Sequence, residues 1–231
     1  MSSAASALIS EPVDIAIVDY DMGNRRSVEK ALEHVGAPAV ITGDHERLRA
    51  ADGLIVPGVG AFRRAMERVR GLGLDTLLRE RVDAGTPVLG ICLGMQIAFD
   101  SSTELGGADG LGIVPGEVRA LDHRELKLPH IGWNEVSFTQ PDSPLVKDLP
   151  SSCAFYHVHS LAPVPSDEGD ILGVAEYGGR FVSAVQHGSF YGVQFHPEKS
   201  SAAGLRLLAS FARICIASAA RESVDLPSAA R

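Results

Sequence analysis

Gly90-Ile91-Cys92-Leu93-Gly94 places a cysteine between two glycines, each two residues away. The apolar run Pro87-Val88-Leu89 precedes it, and Met95-Gln96-Ile97-Ala98-Phe99 follows. This order predicts a strand, a sharp turn and a helix continuing through residue 99, with the thiol at the apex. Glycines flanking a nucleophile permit a strained turn that lifts its side chain clear of the sheet edge. At a helix N-terminus, unpaired N–H groups and the helix dipole favour thiolate over thiol. A thiolate is the nucleophile that covalent acyl chemistry needs.

Such a nucleophile requires a base. Far downstream, Gly192-Val193-Gln194-Phe195-His196-Pro197-Glu198 offers one. Residues 190–195 read as a buried strand, and Pro197 biases His196 toward extended backbone. Residues i and i+2 of an extended segment point the same way, so His196 and Glu198 are expected to project to one side. A carboxylate beside an imidazole fixes its tautomer and stabilises the imidazolium. Cys92, His196 and Glu198 therefore form a candidate nucleophile, base and orienting group.

The other chemistry-bearing residues are less organised. His157 and His159 have the spacing of half a metal site, but no third ligand accompanies them at convincing spacing, so no metal and no cofactor are expected. Cys153 precedes a strand-like run and Cys215 lies in a segment of helical periodicity. Both read as small buried hydrophobes. Three cysteines without regular spacing are no disulfide framework and suit a reducing, cytoplasmic compartment.

The elements that must position these residues follow from periodicity. Residues 13–18 form an apolar run consistent with a buried strand, and residues 19–24 form a loop. Val28, Ala31, Leu32 and Val35 follow at helical spacing, with Gly36 as a stop. Residues 39–42 and 53–56 read as second and third strands, the latter closed by Pro57-Gly58-Val59-Gly60. Leu74, Leu77, Leu78 and Val82 mark a helix that ends at Gly85. Such alternation implies a parallel sheet covered on both faces. From about residue 112 short strand-like runs recur at 117–121, 134–138, 154–159, 171–176, 181–186 and 190–195, predicting antiparallel additions. A helix over about 202–217 closes the fold. Ligands bind beyond the carboxyl ends of parallel strands, and the loops at 20–24, 57–60 and 91–94 share that rim.

The bulk properties narrow the function. The chain has 231 residues, 45% of them hydrophobic, with no linker-like stretch in the middle, which favours one domain over residues 13–218. Residues 1–12 and 219–231 read as mobile tails. The N-terminus lacks a basic leader and is not expected to be a secretory signal. No segment is expected to reach bilayer-spanning length. A net charge of −8 and a pI near 5.5 argue against nucleic-acid or anionic-membrane surfaces.

Taken together, Pro57-Gly58-Val59-Gly60, the motif from Gly90 to Gln96 and the motif from Gly192 to Glu198 resemble the class I, or triad, glutamine amidotransferases, in that family's order. Within the family the chain is most similar to the glutaminase subunits of imidazole glycerol phosphate synthases. The residues carrying this are Asp19-Tyr20-Asp21-Met22-Gly23-Asn24 with Ser27-Val28, Val59-Gly60-Ala61-Phe62, Pro129-His130-Ile131-Gly132-Trp133-Asn134 and Glu198-Lys199-Ser200. Met95 stands where many anthranilate-type relatives carry histidine. The chain departs at Asp21, where glycine is common, at His157, where an aromatic is common, and at Leu161, where tyrosine is common.

The resemblance implies a three-layer, flavodoxin-like α/β fold with a mostly parallel central sheet and antiparallel additions in its C-terminal half. It implies that Cys92 attacks the carboxamide of glutamine, with Leu93 and Val59 supplying backbone N–H groups to the oxyanion. It also implies that Gly58, Gly60, Gln96 and the segment at His159 and Ser160 hold the substrate. Gln96 lies one helical turn beyond Cys92. Asn24, Trp133 and Lys199 are implied to face a (β/α)8-barrel cyclase subunit, which receives the ammonia in a heterodimer. Trp133 also reads as a buried core aromatic. Three other readings fit less well: a glutaminase serving anthranilate or pyridoxal phosphate synthesis, a catalytically silent regulatory subunit, and a cysteine peptidase on a related fold.

Overall fold

The computed structural model describes residues 8–225. Its first half alternates strand and helix: β1 (Ile15–Val18), α1 (Arg25–Val35), β2 (Ala39–Thr42), α2 (His45–Ala50), β3 (Gly53–Gly58), α3 (Phe62–Gly71), α4 (Leu74–Asp83), β4 (Val88–Cys92) and one helical turn, α5 (Leu93–Gln96). Strands dominate thereafter: β5 (Phe99–Ser102), β6 (Ala108–Asp109), β7 (Val114–Ala120), β8 (His130–Phe138), β9 (Ser152–His159), β10 (Leu161–Pro165), β11 (Ile171–Tyr177), β12 (Gly179–His187) and β13 (Phe190–Val193). The helix α6 (Ser201–Asp225) follows.

A nine-stranded sheet runs in the order β2-β1-β3-β4-β13-β12-β11-β8-β9. The pairs among its first five strands are parallel, and the rest pair antiparallel. The expected parallel sheet with later antiparallel additions is therefore present. A second, four-stranded sheet has the order β10-β7-β5-β6.

Alternation along the strands divides the core. Ile15, Ile17, Ile55, Leu89 and Ile91 face one side, where they meet Val28, Leu32 and Val35 of α1 and Leu207, Leu208 and Phe211 of α6. Ala16, Val18, Leu54, Val56 and Val88 face the other, against Phe62, Met66 and Val69 of α3, Leu74, Leu77 and Leu78 of α4, and Val114 and Val118 of β7. Side chains of opposite parity are thus buried on opposite faces, as a sheet covered on both sides requires. Each large apolar side chain so buried contributes roughly 1.5–3 kcal/mol.

Several expectations need correction. The helix after Cys92 does not run to residue 99. It stops after one turn because the carbonyls of Ile97, Ala98 and Phe99 accept from the backbone N–H groups of Leu111, Gly112, Ile113 and Val114, which draws the chain into the second sheet. Ile9, expected in a tail, is buried and its N–H bonds Val35 O at 2.9 Å. Helix α6 continues past residue 218 to Asp225. The remaining tail residues, 1–7 and 226–231, lie outside the described residues. Finally, Ser201–Arg221 does have the length and apolarity to cross a bilayer by composition alone, but half of that window is buried within the protein, and it packs as a core helix.

Candidate active site

Cys92 ends β4 with φ 55° and ψ −112°, a positive-φ conformation rare for a residue with a side chain. The flanking glycines make it possible. A Cβ at Gly94 would lie 1.7 Å from Val56 O, and one at Gly90 would lie 2.7 Å from Gly94 O and Met95 N. The turn therefore packs backbone on backbone where no other residue fits. On one side of β4, Gly58 of β3 is in register with Cys92. On the other, Val193 of β13 is in register with Ile91, so the chain leaving β13 runs past the sulfur.

That chain carries the imidazole. His196 is extended, φ −103° and ψ 96°, as the following proline dictates. Its backbone N–H bonds Tyr156 O at 2.9 Å, and its Nδ1–H donates to Glu198 Oε1 at 2.9 Å. Glu198 does not lie in an extended segment as expected. It sits in the 3-10 turn Pro197–Lys199, and from there its carboxylate, 1% exposed, still meets the ring. Burial alone would lower the His196 pKa, but hydrogen bonds to Cys92 and Glu198 outweigh it and hold the imidazole up at about 9. The site thus favours an imidazolium beside the sulfur at neutral pH, a cation ready to donate a proton.

The sequence profile of the family described as glutamine amidotransferase class-I matches residues 16–214. The chain belongs to that family. Its relatives include proteins named imidazole glycerol phosphate synthase subunit HisH. The one from Moorella thermoacetica is 46% identical over 87% of this chain and 94% of its own. The one from Pseudomonas syringae pv. syringae is 47% identical over 86% of this chain and 96% of its own. Among solved structures, a glutamine amidotransferase superposes with TM-score 0.68 at 21% identity, covering 87% of this chain and 98% of that one. PurLQS of Thermotoga maritima gives 0.72 at 17%, covering 88% and 99%. At such identities these two attest the fold alone.

In this amidotransferase the rim loops converge as expected. A Cβ at Gly23 would lie 2.7 Å from Pro57 O, so the loop after β1 rests on the loop after β3. Tyr20 pins the latter, donating its hydroxyl to Pro57 O at 2.8 Å. Burial and the neighbouring Cys92 push the Tyr20 pKa up, so it stays a neutral donor. Val59 and Gly60 are exposed at this rim, Gly60 with φ 105°, and Leu93 is buried just behind Cys92. Asp21, which replaces a common glycine, has φ 62°. Asp tolerates that conformation better than most residues, and an ion pair with Arg68 holds it.

Gln96 is buried and donates both side-chain N–H groups internally, to Leu161 O at 3.2 Å and Gln194 Oε1 at 3.0 Å. His159 likewise spends both ring nitrogens on the protein. Its Nδ1–H bonds Leu161 O at 2.8 Å, and its Nε2 accepts from His130 Nδ1–H at 3.0 Å. The imidazole is therefore not offered to a substrate, although the strand bearing it borders the nucleophile: Val158 O lies 3.8 Å from Cys92 Sγ. His157, the replacement for a common aromatic, donates from Nδ1 to Phe155 O at 3.1 Å and accepts from Ser183 Oγ at 2.8 Å. Burial, joined by neighbouring imidazoles, lowers the pKa of His157 to about 3 and that of His159 to about 4. Among the described residues no group of three or more His, Cys, Asp or Glu side chains is arranged to hold a metal ion.

Burial raises the thiol pKa of both Cys153 and Cys215, and the Cys215 sulfur fills the space over Gly53. The three candidate interface residues lie near one another around the site. Trp133 is 54% exposed, not a core aromatic, and meets Tyr156 edge-on at 6.2 Å. Lys199 Nζ lies 6.0 Å from the same Tyr156 ring. Asn24 is tied inward, its Nδ2 3.4 Å from Glu198 Oε1. Sequence reasoning missed two residues that frame the sulfur, Tyr20 and Gln194, although both stand inside motifs it singled out.

Proposed function

We propose that this chain is the glutaminase subunit of an imidazole glycerol phosphate synthase. The observation that carries the chemistry is the strained Cys92 elbow facing His196, whose other nitrogen is held by a buried carboxylate. The assignment to this synthase rests on relatives of about 46% identity that carry that name.

Cys92 sulfur attacks the side-chain carboxamide carbon of glutamine. The carbonyl electron pair moves to oxygen, where backbone N–H groups of Leu93 and Val59 receive the oxyanion. Collapse expels the amide nitrogen, which takes its proton from His196 and leaves as ammonia. The resulting thioester is hydrolysed by water that gives one proton to His196; collapse expels the Cys92 thiolate, and the new carboxyl loses its proton to solvent to leave glutamate. Glu198 orients the imidazole throughout. Gly58, Gly60 and the backbone at His159 and Ser160 line the substrate's path, with Gln96 presenting its Oε1.

Ammonia released into neutral water becomes ammonium and stops being a nucleophile. A (β/α)8-barrel cyclase docked over the rim would receive it directly and form imidazole glycerol phosphate, in the cytoplasm. The exposed Ile131 and Trp133 with Lys199 supply an apolar, singly charged surface beside the site for that contact. The experiment is Cys92→Ala, measured with the barrel cyclase present. Turnover with glutamine should vanish while turnover with ammonium salts persists. Loss of both would reject a role confined to ammonia supply.

A further inference from the structure

A buried amide to which no role has been assigned above reaches the Cys92 sulfur. Gln194 is fully buried, and its backbone N–H is fixed to Ser183 O at 2.8 Å. Its Nε2 lies 3.6 Å from Cys92 Sγ, within reach of a sulfur acceptor. Its Oε1 accepts from Gln96 Nε2 at 3.0 Å.

The polarity of this chain of amides is dictated by one backbone group. A carbonyl can only accept, so the Gln96 atom 3.2 Å from Leu161 O must be the nitrogen. That nitrogen's second N–H requires an oxygen at Gln194. The atom Gln194 then turns to Cys92 is necessarily its N–H₂. Leu161 itself is anchored in the second sheet, in register with Ala120. The side-chain amides cannot flip without setting an N–H against an N–H or an oxygen against an oxygen.

We propose that Gln194 is a positioning residue that presents an N–H to the Cys92 sulfur and thereby favours the thiolate, with Gln96 locking its orientation. The free thiol has another partner, donating to Val158 O at 3.8 Å. Deprotonation exchanges that weak contact for an amide N–H aimed at an anion, a bond of the stronger, charge-assisted kind. This deepens the glutaminase reading and rests on it. It also gives Gln96 a second task beside substrate binding.

The test is the pH dependence of alkylation by iodoacetamide, a reagent that needs no substrate pocket, followed at the Cys92 peptide by mass spectrometry. In Gln194→Met the inflection should rise by about one pH unit, the size expected for a hydrogen bond to a charged group. Gln194→Glu, which sets a carboxylate against the sulfur, should raise it further. Gln96→Met, which touches no sulfur but frees the Gln194 amide to rotate, should raise it by less. An unchanged inflection in folded Gln194→Met overturns the proposal. Where that variant does not fold, an unchanged inflection in Gln96→Met does so. A wild-type chain without glutaminase activity in the presence of its partner would instead overturn the functional reading, and the alkylation inflections would still decide this one.

Discussion

Asn24 Nδ2 lies 3.4 Å from Glu198 Oε1, joining residues 174 positions apart. Asn24 precedes α1, so the carboxylate that holds His196 also sits at the positive end of a helix dipole. Asn24 Oδ1 is engaged by Ser27 Oγ at 2.8 Å, which leaves its N–H₂ directed at Glu198. Asn24→Ala should lower the glutaminase kcat about 10-fold, the value of one hydrogen bond to a charged group. Asn24→Asp should lower it more, by setting a second carboxylate against the first. Steady-state glutamate release checks both, and equal rates for the wild type and Asn24→Asp would remove the contact's role.

The raised His196 pKa makes stability depend on pH. The folded chain keeps the imidazolium up to about pH 9, whereas an unfolded chain releases the proton near pH ~6.5. The native state therefore binds more protons between these values, and stability falls as pH rises through that window. Glu198→Gln removes one of the two supports and leaves burial to pull the pKa down. Its thermal melts between pH 6.5 and 9 should show a shallower decline than wild type.

His157 acts in the opposite direction. Its folded pKa, about 3, lies below the unfolded value. Its contribution is therefore present above pH ~6.5 and is lost as pH falls toward 3. His157→Phe should flatten the acid limb of the stability curve. At neutral pH the same change strands the Ser183 hydroxyl and should cost about 1–3 kcal/mol. Adding Ser183→Ala should recover part of that loss. Melts at pH 4.5 and 7 for the single and double variants would check the sign.

Gly94→Ala tests the elbow. The new Cβ would collide with Val56 O, a backbone atom with no side-chain freedom to retreat. The expected result is a destabilisation of about 3 kcal/mol with loss of glutamine turnover. A variant with wild-type melting temperature and activity would refute the close packing.

Cys92, His196 and Glu198 could be singled out in the sequence because their signals are local. Glycine spacing around Cys92 and the His-Pro-Glu tripeptide each encode a backbone shape within a few residues. The change from parallel to antiparallel pairing was legible for the same reason, in shorter runs with more turns. The contacts that cross the fold were not. Gln194 meets Gln96 and Cys92 across 98 and 102 positions, and no pattern within a window reports such a meeting. Helix α3 was overlooked although Phe62, Ala65, Met66 and Val69 repeat at helical spacing, because the arginines between them hide the stripe. Residues 97–99 were misread as helix because their fate depends on the distant segment 111–114. Trp133 could not be assigned to core or surface until β8 had neighbours.

Strands β4 and β13 lie side by side, yet everything from Leu93 to Ser189 is threaded between them. A chain emerging from the ribosome therefore presents the Cys92 thiol 104 residues ahead of the His196 imidazole. Until β13 has paired with β4, the thiol at the end of β4 has no imidazole beside it.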